Sequence, residues 1–244
     1  MKIGIIDGDS LCYISSKESI NESISNIDSL LTNIINYNNL THYYIFLSRG
    51  KYFRHNVNSE YKAKRPIKRL KYLKTLQEYL IEHWGALHIN LIEADDMVAY
   101  LARKYTASDT NFVVCAIDKD VTKQVPGNHF NYKTFKKSKT TSEEAYRFLM
   151  LQTLMGDSTD NITGIPGVGE VTASKLLESK NINELASIVL NEYIKYYKTI
   201  SDAIYHFQMN FRQVYLLNKD SDFINEIGCI PEIPEPIQII NNNV

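Results

Sequence analysis

Three short apolar runs in this chain stop at carboxylates: KIGIID ends on Asp7, ALHINLIEADD on Glu93, Asp95 and Asp96, and NFVVCAIDKD on Asp118 and Asp120. A short apolar run that ends this way reads as a buried strand presenting its last side chains at the sheet edge, and HYYIFLS (42–48) reads as a further strand. Amphipathic helices are predicted between them. One spans about 25–37, with Ile27, Leu30, Leu31, Ile34 and Ile35 on one face, and another runs from Pro66 to about His83. Strands alternating with helices, with acids at the strand ends, are how a doubly wound parallel sheet builds a site at one edge. The fold class is therefore α/β.

From Thr141 the pattern turns helical. Thr141 and Glu144 make a T-x-x-E capping box ahead of the apolar FLMLQTLMGD, and GIPGVGEVTASKLL (164–177) is a glycine turn into another helix. Helices are expected to about Asn218, followed by the proline-dotted IPEIPEPIQIINNNV. The expected organisation is an α/β core over 1–140 that includes a basic segment at 49–85, a helical region over 141–220 and an irregular tail over 221–244.

The composition of 244 residues, 44% hydrophobic and 23% charged, is that of a globular chain. No apolar run reaches the length of a membrane helix. MKIGIIDGD carries two acids too early for a secretory signal, so a cytoplasmic protein, with no membrane partner, is expected. Cys12, Cys115 and Cys229 are odd in number and widely spaced, against a disulfide framework or zinc site.

The net charge of -1 conceals an asymmetry. Ten basic residues stand between Arg49 and Lys74 (Arg49, Lys51, Arg54, Lys62, Lys64, Arg65, Lys68, Arg69, Lys71 and Lys74) against the single acid Glu60. Tyr52, Phe53, Tyr61 and Tyr72 interleave with them, a pattern suited to a nucleic-acid backbone with a base stacked on an aromatic ring.

Four acidic groups demand a common explanation: Asp7 with Asp9, Glu93 with Asp95 and Asp96, Asp118 with Asp120, and Asp157 with Asp160. Carboxylates two apart on a strand, or three apart on a helix, share a side, so each group can converge on a point. Packed together without cations they would repel. Hard oxygen ligands suit Mg²⁺ or Mn²⁺, and two such ions can activate water and stabilise the leaving oxygen of a phosphodiester. Any one group alone is equally well a helix cap or a solvated turn. The G-I-P-G-V-G loop exposes backbone N–H groups at a helix start, where a phosphate can sit.

Five motifs occur in order: I-D-G-D at 6–9, F-R-x-x-x-x-x-x-Y-K-x-x-R at 53–65, E-A-D-D at 93–96, D-K-D at 118–120, and G-D-S-T-D-N-I-x-G-I-P-G-V-G at 156–169. Over roughly residues 1–180 the chain resembles the flap endonuclease and 5′-to-3′ exonuclease family, in particular the small free-standing enzymes of bacteriophages. The resemblance implies a PIN-like sheet flanked by helices, a helical arch or clamp, and a C-terminal helix-three-turn-helix. It implies that Asp7, Glu93, Asp95 and Asp118 hold one metal ion, and that Asp96, Asp120, Asp157 and Asp160 contribute to a second or to its water shell. Lys62 and Arg65 would act on the scissile phosphate and Tyr61 would stack on a base. Arg49, Lys51, Arg54, Lys64, Lys68 and Arg69 would line the DNA path. Gly164, Gly167, Gly169, Thr172 and Lys175 would hold duplex phosphates, with a monovalent ion such as K⁺.

One departure stands out: many relatives carry an aspartate near the end of the second strand, where this chain has Ser48. A hydroxyl does not replace a carboxylate's charge. Asp9 is expected to supply it instead.

The implied activity is 5′-nuclease action on forked, flapped or nicked DNA, or an RNA–DNA hybrid, in primer or flap removal. The expected setting is a monomer in the cytoplasm of a bacterial host, with replication proteins as further partners. With a metal-activated water no histidine base is needed, so His42, His55, His83, His88, His129 and His206 read as ordinary residues. Two rivals are a PIN-type ribonuclease, which would lack the arch motif and the turn after Asp160, and a non-catalytic module that binds branched DNA, which Ser48 keeps open.

Overall fold

The computed structural model describes residues 1–64 and 70–239. In chain order these form β1 (Ile3–Asp7), α1 (Gly8–Ser15), α2 (Ile20–Asn38), β2 (His42–Phe46), α3 (Arg54–Val57), α4 (Leu73–Trp84), α5 (Ala94–Ala107), β3 (Phe112–Cys115), α6 (Lys119–Gln124), β4 (Gly127–Asn131) and β5 (Lys136–Thr140). There follow α7 (Ser142–Met155), a ribbon of β6 (Gly156–Asp157) and β7 (Ile162–Thr163), α8 (Glu170–Leu177), α9 (Leu185–Tyr197), α10 (Ile200–Val214), α11 (Asp220–Ile227) and β8 (Ile237–Gln238). The chain divides into two compact units. One comprises Met1–Lys51, Lys68–Thr140 and Leu216–Val244, the other Tyr52–Ile67 and Thr141–Tyr215.

The first unit is the α/β body. Its six strands run in the order β5-β4-β3-β1-β2-β8. β1 pairs in parallel with β2 and β3, and β4 in parallel with β3, while β5 and β8 are antiparallel edges. Every residue of β1 is buried, as a central strand covered on both faces requires. α2 begins where the Ser19 side chain accepts from the amide of Glu22 and ends at Asn39 with φ of 51°. It lays Ile27, Leu31 and Ile34 against Ile6, Ile45 and Leu80. Burying aliphatic side chains of this size contributes about 1.5–3 kcal/mol each.

Several elements of this unit differ from the sequence expectation. Residues 86–92 are not a strand: Leu87 makes one bridge to Phe46, and Leu91 takes a φ of 65°, which breaks an extended run. The helix expected from Pro66 starts at Leu73. Leu70–Tyr72 are not helical, and Pro66 lies outside the described residues. The tail is not irregular over its described residues, which end at 239. It carries α11, whose Phe223 is fully buried, and β8, which pairs with β2 through His42↔Gln238 and Tyr43↔Ile237. Tyr44 Oη also donates to the carbonyl of Pro234 at 3.0 Å. Docking on the body is therefore the tail's structural role. The β4–β5 hairpin has no counterpart among the strands expected from sequence.

The second unit is helical. The expected capping box is present: the Thr141 hydroxyl accepts from the Glu144 amide, and Glu144 accepts from the Thr141 amide at 2.8 Å. Its core gathers Leu154, Ile162, Leu177, Leu185, Val189 and Tyr193. Gly156, at φ 73°, and Gly164 pack backbone to backbone. A Cβ on Gly156 would lie 2.2 Å from the carbonyl oxygen of Ile162, and one on Gly164 would lie 2.2 Å from the carbonyl carbon of Met155.

Candidate metal and nucleic-acid site

At the C-terminal edge of the parallel strands, Asp7 ends β1 and caps α1. One oxygen accepts from the Asp9 amide at 3.1 Å and the other from the Ser10 hydroxyl at 2.8 Å. Between Asp7 and Asp9 only glycine fits, because a Cβ at Gly8 would meet the Phe46 carbonyl at 2.7 Å. Asp118 repeats the device beyond β3: it caps α6 and accepts from the Asp120 amide at 2.7 Å. Burial pushes the Asp7 carboxyl up to about 7, and the charges of Asp9 and Asp118 add to that, against the lowering pull of the Ser10 and Asp9 donors.

Ser48 has a definite place in this edge. Its hydroxyl accepts from the Ala94 amide at 2.8 Å, which satisfies the first turn of α5, and its own amide donates to Asp9 Oδ1 at 2.9 Å. Gln77 of α4 donates to the Ser48 carbonyl at 3.2 Å. Where the family resemblance leads one to expect an acid, this chain has a backbone organiser whose amide holds a carboxylate from the adjoining strand end. No local sequence signal points to this role, since the partners of Ser48 lie 29 to 46 residues away.

The acids of α5 divide. Glu93 is buried and Asp95 half-buried. Asp96 is fully buried and turned inward, its oxygens accepting from the Leu217 amide at 2.9 Å and the Glu93 amide at 3.4 Å. Both bonds tie Asp96 to the protein's own backbone, at the start of α5 and at Leu217. Among the described residues no group of three His, Cys, Asp or Glu side chains is arranged to hold an ion unaided. Asp7 and Asp118 each direct an oxygen to their own helix. An all-oxygen donor set of this kind fits Mg²⁺, which binds through one or two carboxylates, waters and substrate phosphate rather than in a protein cage.

In the second unit, Asp157 is buried and accepts from the Thr159 amide at 2.8 Å. Asp160 meets the basic segment: Tyr61 Oη donates to its Oδ2 at 3.2 Å, Lys62 Nζ stands 4.0 Å from the same oxygen, and the Lys62 amide donates to its carbonyl. Lys62 also lies over the rings of Tyr52 and Tyr61.

Several expected DNA contacts have internal roles instead. Tyr61 is only 5% exposed and so offers no open stacking face. Arg54 is buried, donating from Nε to the Gln213 carbonyl and from Nη2 to the Tyr215 carbonyl, where it secures the end of α10. Gly164 is buried against the backbone of Leu154–Gly156. Lys51, Lys64, Gly167, Gly169, Thr172 and Lys175 are exposed, and Arg49 is half-buried with Glu78 3.8 Å away. Arg65, Lys68 and Arg69 lie outside the described residues.

Comparison with known proteins bears on this geometry. Residues 2–149 match the family described as the 5′-3′ exonuclease, N-terminal resolvase-like domain. A 5′-3′ exonuclease of Buchnera aphidicola is 32% identical over 180 residues, covering 68% of this chain and 63% of that protein. DNA polymerase I of Bacillus caldotenax is 31% identical over 216 residues, covering 77% of this chain and 24% of the polymerase. The chain thus spans less than two thirds of these relatives. A bacteriophage T5 flap endonuclease, solved in complex with DNA and metal ions, superposes with a TM-score of 0.69 at 20% identity, covering 89% of this chain and 90% of that one. The likeness shows the expected PIN-like α/β fold. No described helix is long and apolar enough to cross a membrane.

Proposed function

We propose, on the premise that this chain belongs to the family of the 5′-3′ exonuclease N-terminal, resolvase-like domain, that it is a divalent-metal-dependent hydrolase. Its substrate on this reading is flapped, forked or nicked DNA, cut near the 5′ end of one strand. The observation that carries the reading is the crowding of Asp7, Asp9 and Asp118 at one sheet edge, with Asp7 only 2% exposed and its carboxyl raised to about 7. Buried carboxylates so placed suit a hard cation far better than they suit one another.

We assign Asp7, Glu93, Asp95 and Asp118 to the ion beside the cut, one or two of them as direct ligands and the others through its waters, and Asp120 to a second ion. Asp9, held by the Ser48 amide, supplies the charge that serine lacks. Mg²⁺ or Mn²⁺ bound here supplies a nucleophilic water at neutral pH and neutralises charge on the leaving oxygen. Lys62, with the exposed Lys51 and Lys64, contacts substrate phosphates and favours the charge that builds on them. The exposed Gly167 and Gly169, with Thr172 and Lys175, take duplex phosphates, together with K⁺.

The test is a 5′-labelled flap substrate incubated with the protein in Mg²⁺ and then in EDTA. Short labelled products in Mg²⁺ alone are expected. Binding without metal-dependent cleavage would sink the proposal in favour of a branch-binding module.

A further inference from the structure

Between Val121 and Ser142 the chain holds five lysines (Lys123, Lys133, Lys136, Lys137 and Lys139) and no acid. Four of them lie in the β4–β5 hairpin, where every residue from Lys133 to Lys139 is exposed. β4 runs parallel to β3, and β3 to β1, so the end of β4 and its turn lie at the same sheet edge as Asp7 and Asp118. A hydrogen bond ties the turn to that edge: Tyr132, the first turn residue, donates from Oη to the Asp7 carbonyl at 2.9 Å.

The turn is built to stay in place. The Asn131 side chain accepts from the amides of Lys133 and Thr134 at 3.1 and 3.0 Å. Phe135 is held at φ 55°, a conformation rare for a bulky residue, and is 41% exposed. Its ring meets Tyr37 and Phe130 edge-on at 5.8 and 5.7 Å, and Lys137 lies 4.7 Å over Tyr37, itself 48% exposed. Cations beside half-exposed rings, on a hairpin whose turn is tied to the carboxylate edge, make a surface for a polyanion that carries flat bases.

We propose that the β4–β5 hairpin, from its turn along the exposed edge strand β5, is a second nucleic-acid subsite, taking the single-stranded segment next to the cut. Lys133, Lys136, Lys137 and Lys139 hold its phosphates, and the Phe135–Tyr37 surface takes an unpaired base. The proposal rests on the nuclease reading above for its substrate. The competing account is that lysines on an exposed edge strand merely prevent edge-to-edge association.

Two variants separate these accounts: Lys133, Lys136, Lys137 and Lys139 all changed to Gln, and Phe135→Asn, which keeps a residue tolerant of the left-handed turn. Affinity for a flapped DNA is measured in EDTA across a salt series, with circular dichroism to verify folding. Each lysine that no longer neutralises a phosphate lowers the slope of log K against log salt by about 0.7–0.9. The four-lysine variant is expected to reduce the slope by about 2 or more and the affinity at low salt by at least tenfold. Phe135→Asn is expected to weaken flapped DNA several-fold and leave blunt duplex unchanged. Unchanged slope and affinity in a folded variant, whether or not it self-associates, would overturn the proposal. Because binding is read without metal, absence of Mg²⁺-dependent cleavage in the unaltered protein would count against the nuclease reading alone.

Discussion

Asp7 and Asp118 of the α/β unit and Asp160 of the helical unit are positioned in different ways. Asp7 and Asp118 are each fixed by an amide two residues further on, at the first turn of the helix they begin. Asp160 is fixed by Tyr61, 99 residues away in sequence. The first arrangement is local: once the strand forms, the cap follows. The second exists only when distant segments have already packed. A locally held acid can be neutralised with little loss of fold, whereas partners held at long range, or backbones in close contact, carry stability as well.

This contrast can be broken most sharply at Asp7. Asp7→Asn is expected to lower metal-dependent cleavage at least a thousandfold, about 4 kcal/mol of transition-state stabilisation. It should also raise the melting temperature in EDTA, because a buried carboxylate facing Asp9 and Asp118 is removed. Steady-state rates and a thermal melt of the same preparation check both halves, and a fall in melting temperature would place Asp7 with the structural acids.

Gly156→Ala should do the opposite in the helical unit. A Cβ 2.2 Å from the Ile162 carbonyl at a φ of 73° has no room, so a loss of about 3 kcal/mol or more is expected in urea unfolding. Smaller effects sharpen the comparison. Ser48→Ala removes the hydroxyl that satisfies the Ala94 amide and is expected to cost about 1 kcal/mol. The Ser48 amide, which holds Asp9, survives that change, so Mn²⁺ affinity should fall less than threefold. Tyr61→Phe deletes the hydrogen bond to Asp160 and should cost about 1 kcal/mol or a little less in the same unfolding measurement.

The same distinction explains what can be read from the sequence. β1, β2 and β3 are legible because their apolar runs are continuous, and the capping box of α7 because its partners are three residues apart. The β4–β5 hairpin is hidden because β5, KKSKT, is an edge strand with no buried residue and therefore no alternation. β8 is two residues long behind prolines, and only its pairing with β2 defines it. Residues 86–92 are apolar enough for a strand, yet Leu91 turns the chain before the acids. The candidate acids are named from the sequence by type and spacing. The buried roles of Arg54, Tyr61 and Asp96 are not, since composition places charged and phenolic side chains outside unless their distant partners are known.

The central claim is that the carboxylate edge of the α/β unit binds the divalent ion. Mn²⁺ titration followed by electron paramagnetic resonance, comparing the unaltered chain with Asp118→Asn, tests it without any substrate. At least a tenfold loss of Mn²⁺ affinity in the variant, with the circular dichroism spectrum unchanged, is the predicted result. Equal affinity in the two proteins would contradict it.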